Sequence, residues 1–175
     1  LKILNNKGFR HIEVAPLELI DNWENINYNK IEEFKSLLKI YNLDVCSMQS
    51  IFYGKNLNIY KDFAKCLEHF DVVKKICKII DCDYVVFGAP SVRKFPETIT
   101  ENEATTTMVN FLSIASRDIN IGFEAIPPNY NTNFCNNYLQ VQNLVDLINS
   151  DNLNIHFDTG CATDYGIIKS INSVN

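Results

Sequence analysis

Two periodicities alternate along the chain. Short apolar runs of β type occur at His11–Pro16, Val45–Ser50, Tyr84–Pro90, Ile121–Pro127 and Asn154–Gly160. Between them, apolar positions recur at helical spacing. Ile31, Phe34, Leu38 and Tyr41 fall on one face and predict a helix over Ile31–Tyr41, with Asn29 and Glu32 in the pattern of a capping box. Phe63, Leu67, Phe70, Val73, Cys77 and Ile80 predict a second helix within Asp62–Ile80. Thr100 with Glu103 opens a third, and Val141, Leu144, Val145 and Ile148 line a fourth. Leu1 and Leu4 followed by Gly8 read as the last turn of a helix and its C-terminal glycine. The predicted order is α-β-α-β-α-β-α-β-α-β-α.

Strict alternation with helical crossovers predicts a parallel sheet covered by helices. No strand end carries a GxGxxG or GxxxxGK[ST] pattern, so an open nucleotide-binding sheet loses its usual signal. Polar or small residues instead stand near successive strand C-termini: Glu13, Gln49, Gly88, Glu124 and Asp158, at intervals of 36, 39, 36 and 34 residues. A near-constant unit suits a (β/α)8 TIM barrel, whose active sites use those strand ends. Five strands are visible where a barrel needs eight, and complete barrels run to roughly 250 residues. The expectation is therefore a truncated barrel: residues 1–175 form a partial TIM-barrel domain that lacks its first strand and its last two βα units. Such a chain has unpaired sheet edges, and self-association into a homo-oligomer is expected.

Composition narrows the class. The 175 residues are 46% hydrophobic and 21% charged, with a net charge of −5. That mixture excludes wholesale disorder and argues against a nucleic-acid partner held on a basic surface. No apolar run approaches the roughly 20 residues of a membrane helix, and no charged stretch followed by an apolar one reads as a signal peptide. The six cysteines contain no CxxC pair, which disfavours a structural zinc site. Free thiols in a reducing cytoplasm are expected.

Chemistry is sought at the strand ends. Glu124 lies between apolar neighbours in Ile121–Pro127, where an ionised carboxylate is costly unless paired or bound to a cation. Arg93 or Arg117 could pair with it; otherwise it is a metal-binding or proton-transferring group. Asp158 repeats the situation one unit later, or simply caps the following helix. Two carboxylates on adjacent strand ends repel unless a cation sits between them, and hard oxygen donors suit Mg²⁺ or Mn²⁺, with Zn²⁺ or Co²⁺ also admissible. Glu13 is a third inward candidate. Gln49 suits recognition of sugar hydroxyls, and Arg93 in its loop suits a phosphate or carboxylate. His156 shares the face of Asp158 one layer deeper, as a core histidine or a substrate contact. Cys161, three residues after Asp158, is a weak ligand or a pocket wall. Trp23, Phe52 and Tyr53 sit in loops where an aromatic could stack on a sugar ring.

The stretches GFRHIEVAP, VCSMQSIFYG, VVFGAPSVRK, IGFEAIPPNYNTNF and IHFDTGCA, in this order, resemble the sugar phosphate isomerase/epimerase group of xylose-isomerase-like TIM barrels. The resemblance covers almost the whole chain. It implies a divalent cation held by Glu, Asp, His and Glu at late strand ends, with Glu124 and Asp158 on the first two positions. It also implies a metal-dependent isomerase or epimerase, or alternatively a dehydratase or lyase on a polyol or keto acid. A non-catalytic binding barrel is the alternative of a different class. Many relatives carry His three residues after the Asp; here Cys161 stands there. Histidine is also absent from the third and fourth strand ends, which sets the chain apart from the endonuclease-IV-like branch.

Overall fold

A computed structural model, describing residues 1–163, contains five parallel strands and six α-helices in the predicted order. They are α1 (Lys2–Asn6), β1 (His11–Val14), α2 (Tyr28–Ile40), β2 (Asp44–Met48), α3 (Phe63–Ile79), β3 (Tyr84–Phe87), α4 (Glu101–Ala115), β4 (Asn120–Glu124), α5 (Tyr138–Ile148), β5 (Leu153–His156) and α6 (Thr159–Thr163). Two short 3-10 turns, Pro16–Glu18 and Pro128–Tyr130, follow β1 and β4. Among the described residues no helix is long and apolar enough to cross a membrane.

The strands run side by side in sequence order, β1-β2-β3-β4-β5, all parallel. A doubly wound sheet reverses direction at a switch point; this one never does. Winding in one sense is what a barrel wall requires, since each right-handed crossover helix then lands on the same face. That face carries the packing. Val85, Phe87, Ile121 and Phe123 are fully buried beneath Phe70 and Phe111 of α3 and α4. Phe87 stacks on Phe123 with ring centroids 5.5 Å apart and touches Phe111 at 6.0 Å. By the period of two along a strand, the alternate residues Val86, Gly122 and Glu124 point to the opposite, inner face.

Local signals place the helices well, with one correction. Thr100 and Glu103 form the reciprocal capping box of α4: the Thr100 side chain accepts from the Glu103 N–H at 3.3 Å, and Glu103 accepts from the Thr100 N–H at 2.7 Å. Gly8, at φ +86°, ends α1 as expected. The start of α2, however, is not capped by Asn29 and Glu32. Its N-cap is Asn27, whose side chain accepts from the Asn29 N–H at 3.1 Å, so the cap stands two residues before the expected one and the helix begins at Tyr28. The strands are also shorter than their apolar runs, because Ala15–Pro16, Gly88–Pro90 and Ala125–Pro127 leave the ladder and enter the strand-end loops.

Candidate metal centre at the strand ends

Glu124 is the last residue of β4, on the inner face, and is only 7% exposed. Its neighbour across the ladder is His156 of β5, and Asp158 follows two residues on. The chain then turns into α6: the Asp158 carboxylate accepts the Gly160 N–H at 2.7 Å, while the Asp158 N–H donates to the Tyr138 hydroxyl at 3.0 Å. This turn brings Cys161, 8% exposed, back over the same spot. Ligand atoms of Glu124, Asp158 and Cys161 all lie within 4.8 Å of one another.

Two devices hold Glu124 in place. Arg93 is completely buried, and its Nη1 donates to the Glu124 backbone carbonyl at 2.6 Å. Its Nη2 reaches the Cys135 carbonyl at 3.4 Å, and the guanidinium lies 4.9 Å from the Phe123 ring centre. The second device is Gly88 at the end of β3. A Cβ there would stand 2.6 Å from a Glu124 carboxylate oxygen, so only glycine lets that carboxylate lie over the strand end. One layer deeper, a Cβ on Gly122 would collide with the Tyr84 hydroxyl, and this gap lets Tyr84 reach the His156 Nδ1 at 3.3 Å.

Electrostatically the cluster is under tension. Burial pushes the Glu124 carboxyl up to about 7, helped by the hydrogen bond and charge of Asp158 and opposed first by Cys161 and then by the Arg93 charge. Burial also works to raise Asp158, but hydrogen bonds from Glu124, the Gly160 N–H and Cys161 hold it below the ordinary value. The Cys161 thiol is pushed up to about 12, by burial first and then by the two carboxylates. Among the described residues no Lys or Arg side chain forms an ion pair with Glu124 or Asp158. Metal–oxygen and metal–sulfur bonds of roughly 2.0–2.3 Å put two ligands of one cation at most ~4.6 Å apart. The observed spread is close to that limit, and two carboxylates with a thiol are donors a divalent cation takes.

Other candidates divide by position. A hollow of about 300 Å³ beside the cluster is lined by Glu13, Gln49, Val86, Glu124, His156 and Asp158. A cleft of about 370 Å³ opens from Glu124 and Cys161 past Gln49 and Phe52 to Tyr53 and Tyr130. Glu13 is exposed and accepts the Ser47 hydroxyl at 2.6 Å; Gln49 is exposed and accepts from Ser50 at 3.2 Å. Arg93 was expected at a loop surface, and the structure places it in the core against backbone carbonyls. Trp23 is likewise buried, its indole N–H donating to the Tyr53 carbonyl at 2.7 Å, and Phe52 is packed inward; of the three loop aromatics only Tyr53 is exposed. Tyr138, which orients the Asp158 backbone, carried no sequence signal beyond its apolar place at the start of α5. His69 was also missed. It lies on the buried face of α3, where a period of 3.6 reads it as one more core position.

Comparison with known proteins adds a family. No curated protein sequence matches the chain. Among solved structures, a D-psicose 3-epimerase with D-fructose superposes with a TM-score of 0.76 at 13% identity, covering 99% of this chain and 62% of that one. A probable 3-DHS dehydratase from Bacillus anthracis gives 0.67 at 15% identity, covering 98% and 61%. An IOLI protein with a bound zinc atom gives 0.63 at 16% identity, covering 87% and 54%. Others range from an L-ribulose 3-epimerase to an AP endonuclease of family 2 from Brucella melitensis. The chain thus spans a little over half to about two thirds of the length of these structures, and at such identities they share its fold. A family model described as xylose isomerase-like TIM barrel matches residues 1–171. The chain belongs to the xylose isomerase-like TIM barrel family.

Proposed function

We propose that the chain is the larger part of the barrel of a divalent-metal-dependent sugar or sugar-phosphate isomerase or epimerase, which moves a proton on a carbon next to a carbonyl. The observation that carries this reading is the convergence of a buried Glu124 with Asp158 and Cys161 at adjacent strand ends, with no Lys or Arg side chain ion-paired to either carboxylate among the described residues. When bound there, a divalent cation supplies Lewis-acid polarisation of the substrate carbonyl. Glu124 and Asp158 would hold it. Glu124 is also the candidate acid/base that would move the proton on the substrate carbon. Gly88 and Arg93 fix the carboxylate and backbone of Glu124, so its position is set before substrate arrives.

The cleft matches a small polyol. Gln49 offers an exposed hydrogen-bonding group in it and Glu13 another in the adjoining hollow, while Phe52, Ile126 and Tyr130 provide apolar and aromatic wall. An acidic centre in a chain of net charge −5 is a poor surface for a nucleic-acid backbone. The epimerases among the structural neighbours support the sugar reading, and the zinc-bound neighbour supports the cation. The dehydratase neighbour favours a second reading, in which the same proton removal is followed by loss of water.

The test is exchange of the substrate α-proton with solvent D₂O, measured by NMR on a panel of ketoses and their phosphates with Mn²⁺, Co²⁺ or Zn²⁺. Cation-dependent exchange is expected on at least one ketose. Dehydration of a polyol or keto acid without ketose exchange would move the assignment to the second reading. Neither reaction on any panel member, with the cation bound, would leave a binding barrel.

A further inference from the structure

Cys161 has no part in the proton transfer, yet the fold delivers its sulfur to the cation centre. We infer that Cys161 is a third protein ligand, so that this site selects a thiolate-binding cation, zinc foremost, over Mg²⁺ or Mn²⁺. The inference rests on the reading of Glu124 and Asp158 as ligands and deepens it. Three observations carry it.

The first is geometry. The sulfur belongs to the same 4.8 Å cluster as both carboxylates, and the side chain is 8% exposed, so it faces the centre and not solvent. The thiol sulfur and both carboxylates thus converge on one point, where a shared cation would sit.

The second is how the sulfur is held. It does not sit on a free loop: Asp158 accepts the Gly160 N–H at 2.7 Å and Tyr138 accepts the Asp158 N–H, so ligand and turn are fixed together. A Cβ on Gly160 would lie 3.1 Å from the Asp158 carboxylate, which keeps that turn tight.

The third is contrast with the other thiols. Cys77 points at the Met48 sulfur at 3.6 Å, Cys135 at the Gln140 carbonyl at 3.8 Å, and Cys82 at the Tyr84 carbonyl at 3.2 Å. Among the described residues, no cysteine other than Cys161 joins a group of three ligand side chains.

The chemistry follows from ligand softness. Mg²⁺ and Mn²⁺ prefer oxygen donors, whereas thiolate favours zinc and its analogue Co²⁺, and zinc accepts mixed sulfur and carboxylate sets. Binding is written Cys161–SH + M²⁺ → Cys161–S–M⁺ + H⁺, the proton passing to solvent.

Co²⁺ titration of the protein tests this, using a Cys46→Ser background to remove the exposed thiol. A near-ultraviolet sulfur-to-cobalt charge-transfer band should appear with one equivalent of Co²⁺. In the added Cys161→Ser variant that band should vanish while the visible d–d bands persist. The Zn²⁺ dissociation constant should rise at least 10- to 100-fold, the scale for losing even an outer partner of a ligand, with Mn²⁺ affinity changed far less. Circular dichroism of Cys161→Ser, with Cys161→Ala as a second variant, separates ligand loss from misfolding. Co²⁺ bound with d–d bands and no charge transfer would overturn the inference and leave the isomerase reading to its exchange assay. A band that survives in both variants would overturn it equally. Failure of any divalent cation to bind would overturn this inference and the metal reading together.

Discussion

The strand-end surface has two halves that start from nearly the same sequence and finish differently. In HIEVAP of β1 and GFEAIP of β4, a glutamate sits among apolar residues just before a proline. Glu13 ends up exposed, with the Ser47 hydroxyl as its partner at 2.6 Å. Glu124 ends up buried, facing a second carboxylate and a thiol. In the Glu13 half polar side chains find single hydrogen-bond partners: Trp23 the Tyr53 carbonyl, His69 the Ile51 carbonyl at 2.7 Å, and Ser47 the Glu13 carboxylate. Around Glu124 negative charge accumulates under burial. A carboxylate at a strand end is therefore not a site by virtue of its strand. It becomes one where neighbouring elements concentrate ligand atoms under burial and turn the nearby guanidinium to backbone carbonyls, leaving the carboxylates without an ion-pair partner among the described residues.

The largest expected effect separates the two glutamates. Glu124→Gln keeps the size and one oxygen but removes both ligand charge and proton acceptor. Losses on the order of 10²–10⁴ in α-proton exchange are usual when a positioned acid/base is removed. Glu13→Gln should change the exchange rate by less than about tenfold, since Ser47 can still hydrogen-bond the amide. Steady-state exchange rates of both variants at saturating Mn²⁺ make the comparison. Equal effects would show that the two carboxylates share the chemistry, and the contrast between halves would fall.

Much of this contrast was legible in the sequence, and the rest had physical reasons to be hidden. Charged residues inside apolar strand runs stand out, so Glu124, Asp158 and Glu13 could be singled out without coordinates. The regular 34–39-residue spacing of strand ends likewise gave the barrel, and the one-directional strand order agrees with it. Burial of Arg93 was not legible. SVRK reads as a polar loop, and only the folded chain shows backbone carbonyls of Glu124 and Cys135 turned toward one guanidinium. Trp23 and Phe52 read as exposed loop aromatics because their partner, His69, lies elsewhere in the sequence on α3. Gly88 appeared in the strand-end series as a small residue. That its missing Cβ is what admits the Glu124 carboxylate is a fact about two strands, and one strand's sequence cannot carry it.

Gly88→Ala is the next effect in size. The added Cβ would meet the Glu124 carboxylate at 2.6 Å and the Ile126 Cδ1 at 3.0 Å, so the carboxylate must swing off the strand end. Zn²⁺ or Co²⁺ affinity should fall by roughly tenfold or more, the order seen when the support of a ligand is disturbed. Stability should change little, because the residue lies at the open end of the sheet. Isothermal titration beside a urea melt gives both numbers. Unchanged cation affinity would mean that Glu124 does not need its observed pose to bind, and the site's preorganisation would lose its main support.

The smallest effect belongs to the other half. His69 on α3 is buried between Trp23 and Phe52, at ring distances of 4.4 and 4.7 Å, with its Nε2–H donated to the Ile51 carbonyl. Burial, with a smaller contribution from the Lys55 charge, holds its pKa below the ordinary 6.5, although the Ile51 hydrogen bond opposes the shift. The unfolded chain therefore takes up this proton at higher pH than the folded one. The stability that depends on a neutral His69 is full above about 6.5 and is lost as pH falls below it, until the folded imidazole itself titrates. One proton limits the slope to about 1.4 kcal/mol per pH unit. His69→Gln keeps a donor for the Ile51 carbonyl and removes the titration, so the difference in urea-unfolding free energy between wild type and variant should depend on pH between 7.5 and 5.5. The carboxylates contribute to both proteins and cancel in that difference. A difference that stays constant with pH would show that the folded chain takes up this proton as readily as the unfolded one, and that burial between Trp23 and Phe52 does not hold the ring neutral.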